Sequence, residues 1–274
     1  MRSIISINAD PVRFVADMGI SRPLIVSSHE RSGSHFLINS VALNSLYSND
    51  PHFDFDLMPL GSFLNFHDRN QVKEFLGGLA KHHCASVVKN HFAAEFFLES
   101  DGSLMLNGVA KFLYIVRNPI DVMLSYHRFI NHFTWHQGPK VKETIDFLKS
   151  APEGQMLRYQ SRQVVDILDR WKSHLLGWLK VAKENPQDVL VVAYRDLDQT
   201  HEAVTKTILS FLGVDSPEAI VRPGHAEKTV HVPELRTTSL EQREAIRRAI
   251  VEKLGDDAVI GSLFPDLYAQ AVAA

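Results

Sequence analysis

Four short apolar runs mark the regular parts of this chain. Each run is continuous rather than alternating, is rich in β-branched residues and ends in polar residues, as strands buried on both faces do. The predicted strands cover residues 24–27, 86–88, 112–116 and 189–193. This pattern therefore predicts a sheet that has both faces covered by other elements.

Helical spacing fills the segments between these strands. Apolar residues at this spacing follow the first strand over residues 36–46, and a wide apolar stripe covers residues 164–182. A third helix is predicted to follow an N-cap at Ser239 and to end at Gly255. Strands that alternate with amphipathic helices require crossover connections, so we expect an α/β fold with a central parallel sheet flanked by helices. No linker or repeat interrupts residues 1–274, which are expected to form a single domain.

Three zones lack clear periodicity, namely residues 48–68, 126–137 and 222–238. The first two are rich in phenylalanine and histidine. Loops of this kind on an α/β scaffold commonly build the binding pocket. We therefore expect a pocket with partly apolar or aromatic walls.

Composition narrows the classes of ligand. The chain has 274 residues, 29 lysines and arginines against 32 aspartates and glutamates, and a formal net charge of -3. With 45% hydrophobic residues, it falls outside the disordered, collagen-like and low-complexity classes. The slightly acidic balance argues against broad binding of nucleic acid, which needs a strongly basic face. A small anion bound by a few cations is compatible with it.

Cysteine content and hydropathy restrict the chain further. With one cysteine, Cys84, it cannot form an internal disulfide or a thiolate zinc cage. No apolar stretch approaches the length of about 18 residues typical of a membrane-spanning helix, and the N-terminus lacks a signal-peptide pattern. We therefore expect a cytoplasmic protein without a membrane span or a metal. The oligomeric state stays open at this stage.

The first strand leads into a short loop that ends where a helix begins. A tight turn at a helix N-terminus exposes backbone N–H groups and the positive end of the helix dipole, which together favour phosphate. Gly33 permits a close backbone approach and Arg31 supplies a positive charge, while Ser32, Ser34 and His35 add donors. A Walker A motif is absent, which weakens a kinase interpretation. An ordinary capped helix start is the simpler alternative.

A second motif follows the third strand. Pro119 fits the first turn of a helix that has Asn118 as its N-cap. Arg117 then lies at the carboxyl end of a buried strand, where ligands of open parallel sheets bind. Ser125 comes eight residues later, about two helical turns on, so that both side chains can converge on one anion.

A third candidate is His91, which lies just beyond the second predicted strand. In the Lys-x-His arrangement, Lys89 and His91 point to the same side of the strand. A histidine can accept a proton from an attacking hydroxyl near neutral pH. The alternative is a purely structural histidine at the end of the strand.

Taken together, these segments resemble the sulfotransferases that use 3′-phosphoadenosine 5′-phosphosulfate (PAPS). The loop of residues 31–36, the Arg-Asn-Pro-x-Asp-x-x-x-Ser motif of residues 117–125 and the strand end of residues 88–92 carry the resemblance. The helix of residues 171–178 and the Tyr-Arg-Asp-Leu segment of residues 194–197 agree in order. The resemblance implies a P-loop-like strand-loop-helix and transfer of a sulfuryl group to a small-molecule acceptor.

The resemblance also implies roles for individual residues. The 5′-phosphosulfate would lie on the loop of residues 31–35, and the 3′-phosphate would contact Arg117 and Ser125. Phe36 and Tyr194 would flank adenine. His91 would be the catalytic base, with Arg31 and Lys89 stabilising the transferring and leaving groups, and no metal would be required. Some members of the wider family use a glutamate base, for which Glu30 and Glu95 are the candidates in this chain.

The sequence departs from the family pattern at several points. Arg31, His35 and Phe36 replace the usual lysine, threonine and tryptophan of the loop. The family's C-terminal basic motif has only a faint counterpart around Arg222 and Lys228. Two other functions therefore remain as alternatives, a P-loop kinase or other nucleotide phosphotransferase, and a non-catalytic nucleotide-binding paralogue.

Overall fold

A computed structural model defines the architecture. It describes residues 22–54, 65–81, 86–132, 138–160, 162–224 and 238–268. Within these ranges five strands pair in parallel to form one sheet, in the order β2-β3-β1-β4-β5. The strands are β1 (Leu24–Ser28), β2 (Ser48–Asp54), β3 (Ser86–Asn90), β4 (Lys111–Val116) and β5 (Val189–Ala193).

Helices connect and cover the strands. The connections also contain two short 3-10 turns, Ala94–Phe97 between β3 and β4 and Gly154–Tyr159 between β4 and β5. The helices are α1 (Ser34–Leu43), α2 (Arg69–Lys81), α3 (Pro119–His132), α4 (Thr144–Lys149), α5 (Ile167–Glu184), α6 (Tyr194–Gln199), α7 (His201–Leu212), α8 (Leu240–Leu254), α9 (Ala258–Leu263) and α10 (Pro265–Tyr268).

Both faces of the sheet are covered, as the continuous apolar strands predicted. Along β1, Leu24 and Val26 face a core shared with α1 and α7, whereas Ile25 faces a larger core shared with α2, α3 and α5. This alternation follows from the pleat, which sends successive side chains to opposite faces. The predicted α/β fold with a parallel sheet is therefore confirmed.

The edge strand β2 corrects the expectation that residues 48–68 form an irregular loop. Residues 48–54 pair with β3, and the register shifts between Ser48 and Phe53. Pro51 falls inside that shift, and a proline cannot donate to a ladder, so it is confined to edge strands and irregularities. The proline concealed the strand in the sequence pattern. Residues 55–64 lie outside the described residues.

The zone of residues 126–137 also needs correction, because residues 126–132 continue α3. Buried His127 lies on the inner face of that helix, where a polar residue obscures the apolar period. Its ring nitrogens are 2.9 Å from Thr144 Oγ1 and 2.8 Å from the Val141 carbonyl oxygen. Residues 133–137 lie outside the described ranges, as do residues 225–237 of the third zone.

Two helices follow their sequence signals closely. Helix α5 begins after an Asp166 cap, and its Trp171 and Trp178 are fully buried core residues, as their spacing predicted. Helix α8 begins at a capping box formed by Ser239 and Gln242 and ends at Gly255.

Because the five strands are parallel, the carboxyl ends of β1, β3, β4 and β5 lie at the same edge of the sheet. The predicted site residues follow those ends.

Candidate active site

The loop after β1 opens a cradle in front of α1. Gly33 is the N-cap of α1 and has a φ of 101°, a conformation that side-chain-bearing residues rarely adopt. A Cβ at this position would lie 2.4 Å from Cδ2 of Tyr194, so the absence of a side chain lets that ring pack on the loop. The first helical hydrogen bond runs from the Leu37 N–H to the Gly33 carbonyl, 3.2 Å. The backbone N–H groups of residues 34–36 therefore precede the first hydrogen bond of the helix. Backbone N–H groups at this position of a helix are the ones that bind anions.

Arg31 lies at the centre of this loop. Its φ of 67° places a non-glycine residue in the left-handed region, which costs about 1–3 kcal/mol and needs support from the surroundings. Its Nε donates to Ser125 Oγ at 3.1 Å, and its guanidinium lies 4.9 Å from the ring centroid of Phe129. Burial, and then the charge of Arg117, lower the pKa of Arg31. The structure thus joins the first loop to the helix of the second motif.

Arg117 completes a pair of neighbouring cations. Its guanidinium carbon lies 4.5 Å from the ring centroid of Tyr194, and its buried Nε has no hydrogen-bond partner among the described residues. Burying a donor without a partner costs about 1–3 kcal/mol. An anion between Arg31 and Arg117 would accept from this donor and relieve the repulsion of the two charges.

An aromatic pair lies beside the cations. The ring centroids of Phe36 and Tyr194 are 5.9 Å apart with planes at 57°. A nucleotide base that stacks between two rings requires a ring-to-ring distance of about 7 Å, twice a stacking distance. Adenine could therefore bind between Phe36 and Tyr194 only if the two rings moved apart. Arg222, whose place in the sequence pattern was uncertain, lies with its guanidinium 5.3 Å from the Phe36 centroid and donates to the Asp198 carbonyl at 2.6 Å. Lys228 lies outside the described residues.

His91 lies where β3 ends, against the start of the loop. Its Nδ1 lies 2.8 Å from the Ser28 carbonyl oxygen, which can only accept, so the ring donates there. In the neutral ring, the lone pair then belongs to Nε2, the tautomer that a general base needs. The side chain is buried and contacts Tyr159 edge to face, with centroids 5.6 Å apart.

Lys89 and Asn90 precede this histidine on β3. Lys89 is 4% exposed and lies in register with Val26 of β1. The Asn90 amide donates to Ser27 Oγ at 3.0 Å and so ties the two strand ends together. The predicted role of Lys89 at the sulfuryl group stays a prediction.

Glu30 forms a buried ion pair with Arg170. Its two carboxylate oxygens each accept from Arg170 at 2.7 Å, and one accepts from the Tyr126 hydroxyl at 3.1 Å. Burial opposes its ionisation, but the Arg170 charge holds the pKa of this carboxyl well below its usual range. Glu30 is therefore a poor proton acceptor. Glu95 is exposed on the first 3-10 turn, where its carboxylate lies beside Gly177 of α5.

Sequence reasoning missed Arg170 and His174 of α5. The available signal was a pair of polar residues, one turn apart, within the stripe that contains Trp171 and Trp178. Both are buried, and they contact the two loops described above.

Comparison with known proteins identifies the family. Residues 21–254 match the model of the sulfotransferase domain. The chain belongs to the sulfotransferase family. The family predicted from the loop and strand-end motifs is thereby confirmed.

Individual sulfotransferases show how far the likeness extends. Sulfotransferase 1A1 of Rattus norvegicus is 26% identical over 201 residues, 72% of this chain and 62% of its own length. The 3-alpha-hydroxysteroid sulfotransferase of Cavia porcellus is 26% identical over 192 residues, 69% of this chain and 58% of its own. The chain thus spans less than two thirds of these relatives.

A solved structure supports the fold. Mouse sulfotransferase SULT7A1, complexed with PAP, superposes with a TM-score of 0.54 at 16% identity, with 90% of each chain covered. The α/β architecture is thus that of a sulfotransferase.

Among the described residues, no helix is both long and apolar enough to cross a membrane.

Proposed function

We propose that this protein transfers the sulfuryl group of PAPS to a hydroxyl or amine of a small acceptor. The observation that carries the proposal is the pair of neighbouring cations, Arg31 in the loop that contains Gly33 and Arg117 beside Tyr194. A nucleotide with phosphate groups at both its 3′ and 5′ positions supplies anions for both guanidinium groups. The family of the chain supports the same activity.

The residues present fit such a nucleotide. The buried Nε of Arg117 needs an acceptor, and a phosphate oxygen is a strong one. The Ser125 hydroxyl, which accepts from Arg31 Nε, is proposed to donate to the 3′-phosphate together with Arg117. The open helix N-terminus at residues 34–36 suits a second phosphate, with His35 and the Ser32 and Ser34 hydroxyls as further donors. Phe36 and Tyr194 offer ring faces to adenine.

The chemistry assigned to the chain is positioning and proton transfer. When bound, PAPS supplies the sulfuryl group, which moves in line to the acceptor oxygen or nitrogen and leaves 3′-phosphoadenosine 5′-phosphate (PAP). His91 Nε2 accepts the proton that the acceptor loses. Arg31 and the loop amides neutralise the charge that develops on the departing phosphate, while Lys89 faces the sulfuryl group. These side chains and amides supply the positive charge without a metal.

The acceptor is proposed to approach past Tyr159. This residue contacts His91 and lines a small open pocket together with Glu95, Gln160, Arg162 and Ser173. The buried Oε1 of Gln160 has no hydrogen-bond partner among the described residues. A polar group of the acceptor would supply one, so the wall favours an acceptor that has hydrogen-bonding groups beside its aromatic or apolar part.

Calorimetry and a transfer assay test the proposal. We expect PAP to bind in competition with PAPS, with ATP-Mg²⁺ binding at least about tenfold more weakly, a difference of 1.4 kcal/mol. Label from [³⁵S]PAPS is expected to appear on at least one member of a panel of phenols, alcohols and amines. Absence of PAP binding overturns the proposal, and preferred binding of ATP-Mg²⁺ favours a phosphotransferase. PAP binding without transfer to the panel favours a non-catalytic paralogue.

A glycine substitution tests the cradle. Gly33→Ala is expected to lower the free energy of unfolding by about 1–3 kcal/mol because of its positive φ. It is also expected to weaken PAP binding about tenfold or more, since the new Cβ displaces the Tyr194 ring. The matched control is Gly102→Ala, with a φ of 81° but no atom within 4 Å of the added Cβ. The control should lose stability and keep its affinity for PAP. Equal PAP affinities in both variants would contradict the proposal that the nucleotide binds at the loop of Gly33.

A further inference from the structure

Helix α5 presents three hydrogen-bonding side chains on one face, spaced four residues apart. Arg170 contacts the loop after β1, and the next two contact the segment after β3. The His174 Nε2 donates to the His91 carbonyl at 3.3 Å, and the Trp178 Nε1 donates to the Phe92 carbonyl at 3.0 Å. One helix face therefore fixes both loops that carry the proposed reaction.

The contact between Arg170 and Glu30 is a planar fork against a carboxylate. Each guanidinium Nη donates to its own oxygen at 2.7 Å, and the side chains are 5% and 13% exposed. Arg170 Nη1 also donates to His29 Nε2 at 2.9 Å, while the His29 Nδ1 donates to the Glu30 carbonyl at 3.1 Å. Glu30 is thus held through both carboxylate oxygens and its backbone carbonyl, which together fix its position.

Glu30 immediately precedes Arg31, whose backbone has the unfavourable φ of 67°. A residue in this region keeps its conformation only when the surrounding structure determines it. The buried pair supplies that determination on one side of Arg31, and the hydrogen bond from its Nε to Ser125 Oγ of α3 supplies it on the other. Loss of the fork would allow Arg31 to relax away from the leaving phosphate.

His174 fixes the other loop in the same way. The His91 carbonyl can only accept, so His174 donates from Nε2 and receives the Tyr114 hydroxyl at Nδ1, 3.1 Å away. Burial, with the charge of Arg170 among its neighbours, holds the pKa of His174 well below its usual range. This histidine is therefore neutral, with one donor and one acceptor.

We propose that Arg170 is a positioning residue for the leaving-group side of the reaction, acting through Glu30 on Arg31. The inference rests on the proposed function. Arg170 shares its helix face with His174, so α5 sets the separation between the proton acceptor His91 and the cation Arg31. A misplacement of reacting groups by 1 Å can cost about a hundredfold in rate.

The test uses Arg170→Lys, which keeps the positive charge and removes the fork. We expect kcat of sulfuryl transfer to fall about tenfold to a hundredfold, with the acceptor KM within about threefold of the wild-type value. The Kd for PAP is expected to rise by a smaller factor than the fall in kcat, because Arg31 is also assigned a contact with the nucleotide. Glu30→Gln should reproduce the defect. The double variant should show the defect of one substitution rather than the product of two, because both act on the same contact.

Lys111→Met is the matched control. Lys111 forms an ion pair with the buried Asp188 at 3.3 Å, at the amino ends of β4 and β5, away from the site. The control should lower the thermal midpoint as Arg170→Lys does and leave kcat unchanged. An unchanged kcat in Arg170→Lys, or a loss confined to PAP affinity, overturns the positioning role. A wild-type protein that fails to bind PAP overturns the proposed function itself.

Discussion

Replacement of His91 by glutamine is expected to lower the rate of sulfuryl transfer by about a thousandfold, within the range typical of a lost general base. Glutamine keeps an N–H that can donate to the Ser28 carbonyl, which the His91 Nδ1 contacts at 2.8 Å. Its amide, however, is far too weak a base to accept the proton of an acceptor hydroxyl. The Kd for PAP is expected to stay within about threefold, since the nucleotide contacts are assigned to Arg31 and Arg117.

The measurement is single-turnover transfer from labelled PAPS, combined with calorimetry of PAP binding. His132→Gln is the control, because it makes the same change at an exposed position in the last turn of α3. Transfer by His91→Gln within tenfold of the wild-type rate would contradict the assignment. The proton acceptor would then be sought at Glu95, since the Glu30 carboxylate is bound by Arg170 on both of its oxygens.

Arg117→Met is expected to weaken PAP binding about a hundredfold or more, which corresponds to about 2.8 kcal/mol. Charge-assisted hydrogen bonds to phosphate are among the strong ones, and the buried Nε has no partner within the described residues. The unliganded variant is expected to be at least as stable as the wild type, because the substitution removes a buried donor that has no partner among the described residues. The lost contact with the Tyr194 ring, which contributes about 0.5–1 kcal/mol, is offset by the removal of the repulsion between Arg117 and Arg31.

Thermal unfolding with and without PAP separates these effects. The unliganded variant should unfold at or above the wild-type thermal midpoint, and it should lose most of the rise in midpoint that PAP produces in the wild type. Arg195→Met, which removes an exposed arginine next to Tyr194 in sequence, should keep that rise. An undiminished rise in Arg117→Met would place the phosphate elsewhere.

The positions of most candidate site residues at the strand ends were predictable, because the determinants of those positions are local in sequence. A buried strand followed by a glycine-containing turn and a helix predicts an anion site, and the same logic at β4 located Arg117. Lys89 and His91 followed from strand alternation. In each case the chemistry depends on a strand end, and apolar runs define the strand ends.

The unpredicted parts depend on contacts between distant segments. Arg170 and Glu30 are 140 residues apart, and nothing in the local pattern indicates that they pair. In the sequence, Arg170 and His174 are polar residues that interrupt an apolar stripe. Their role becomes clear only from the structure, in which they contact the loop after β1 and the segment after β3. The strand at residues 48–54 was missed because Pro51 gives it the composition of a loop, and the end of α3 was missed because its inner face carries a histidine.

The strand order gives the site a linear layout. The central strand β1 carries the phosphate loop, with β3 and the proposed base on one side and β4 and β5 with the nucleotide contacts on the other. Under the proposed function, donor and acceptor recognition therefore occupy opposite flanks of this loop. Segments on the β3 flank can diverge in sequence, or be exchanged between relatives, to change the acceptor while the same donor is retained.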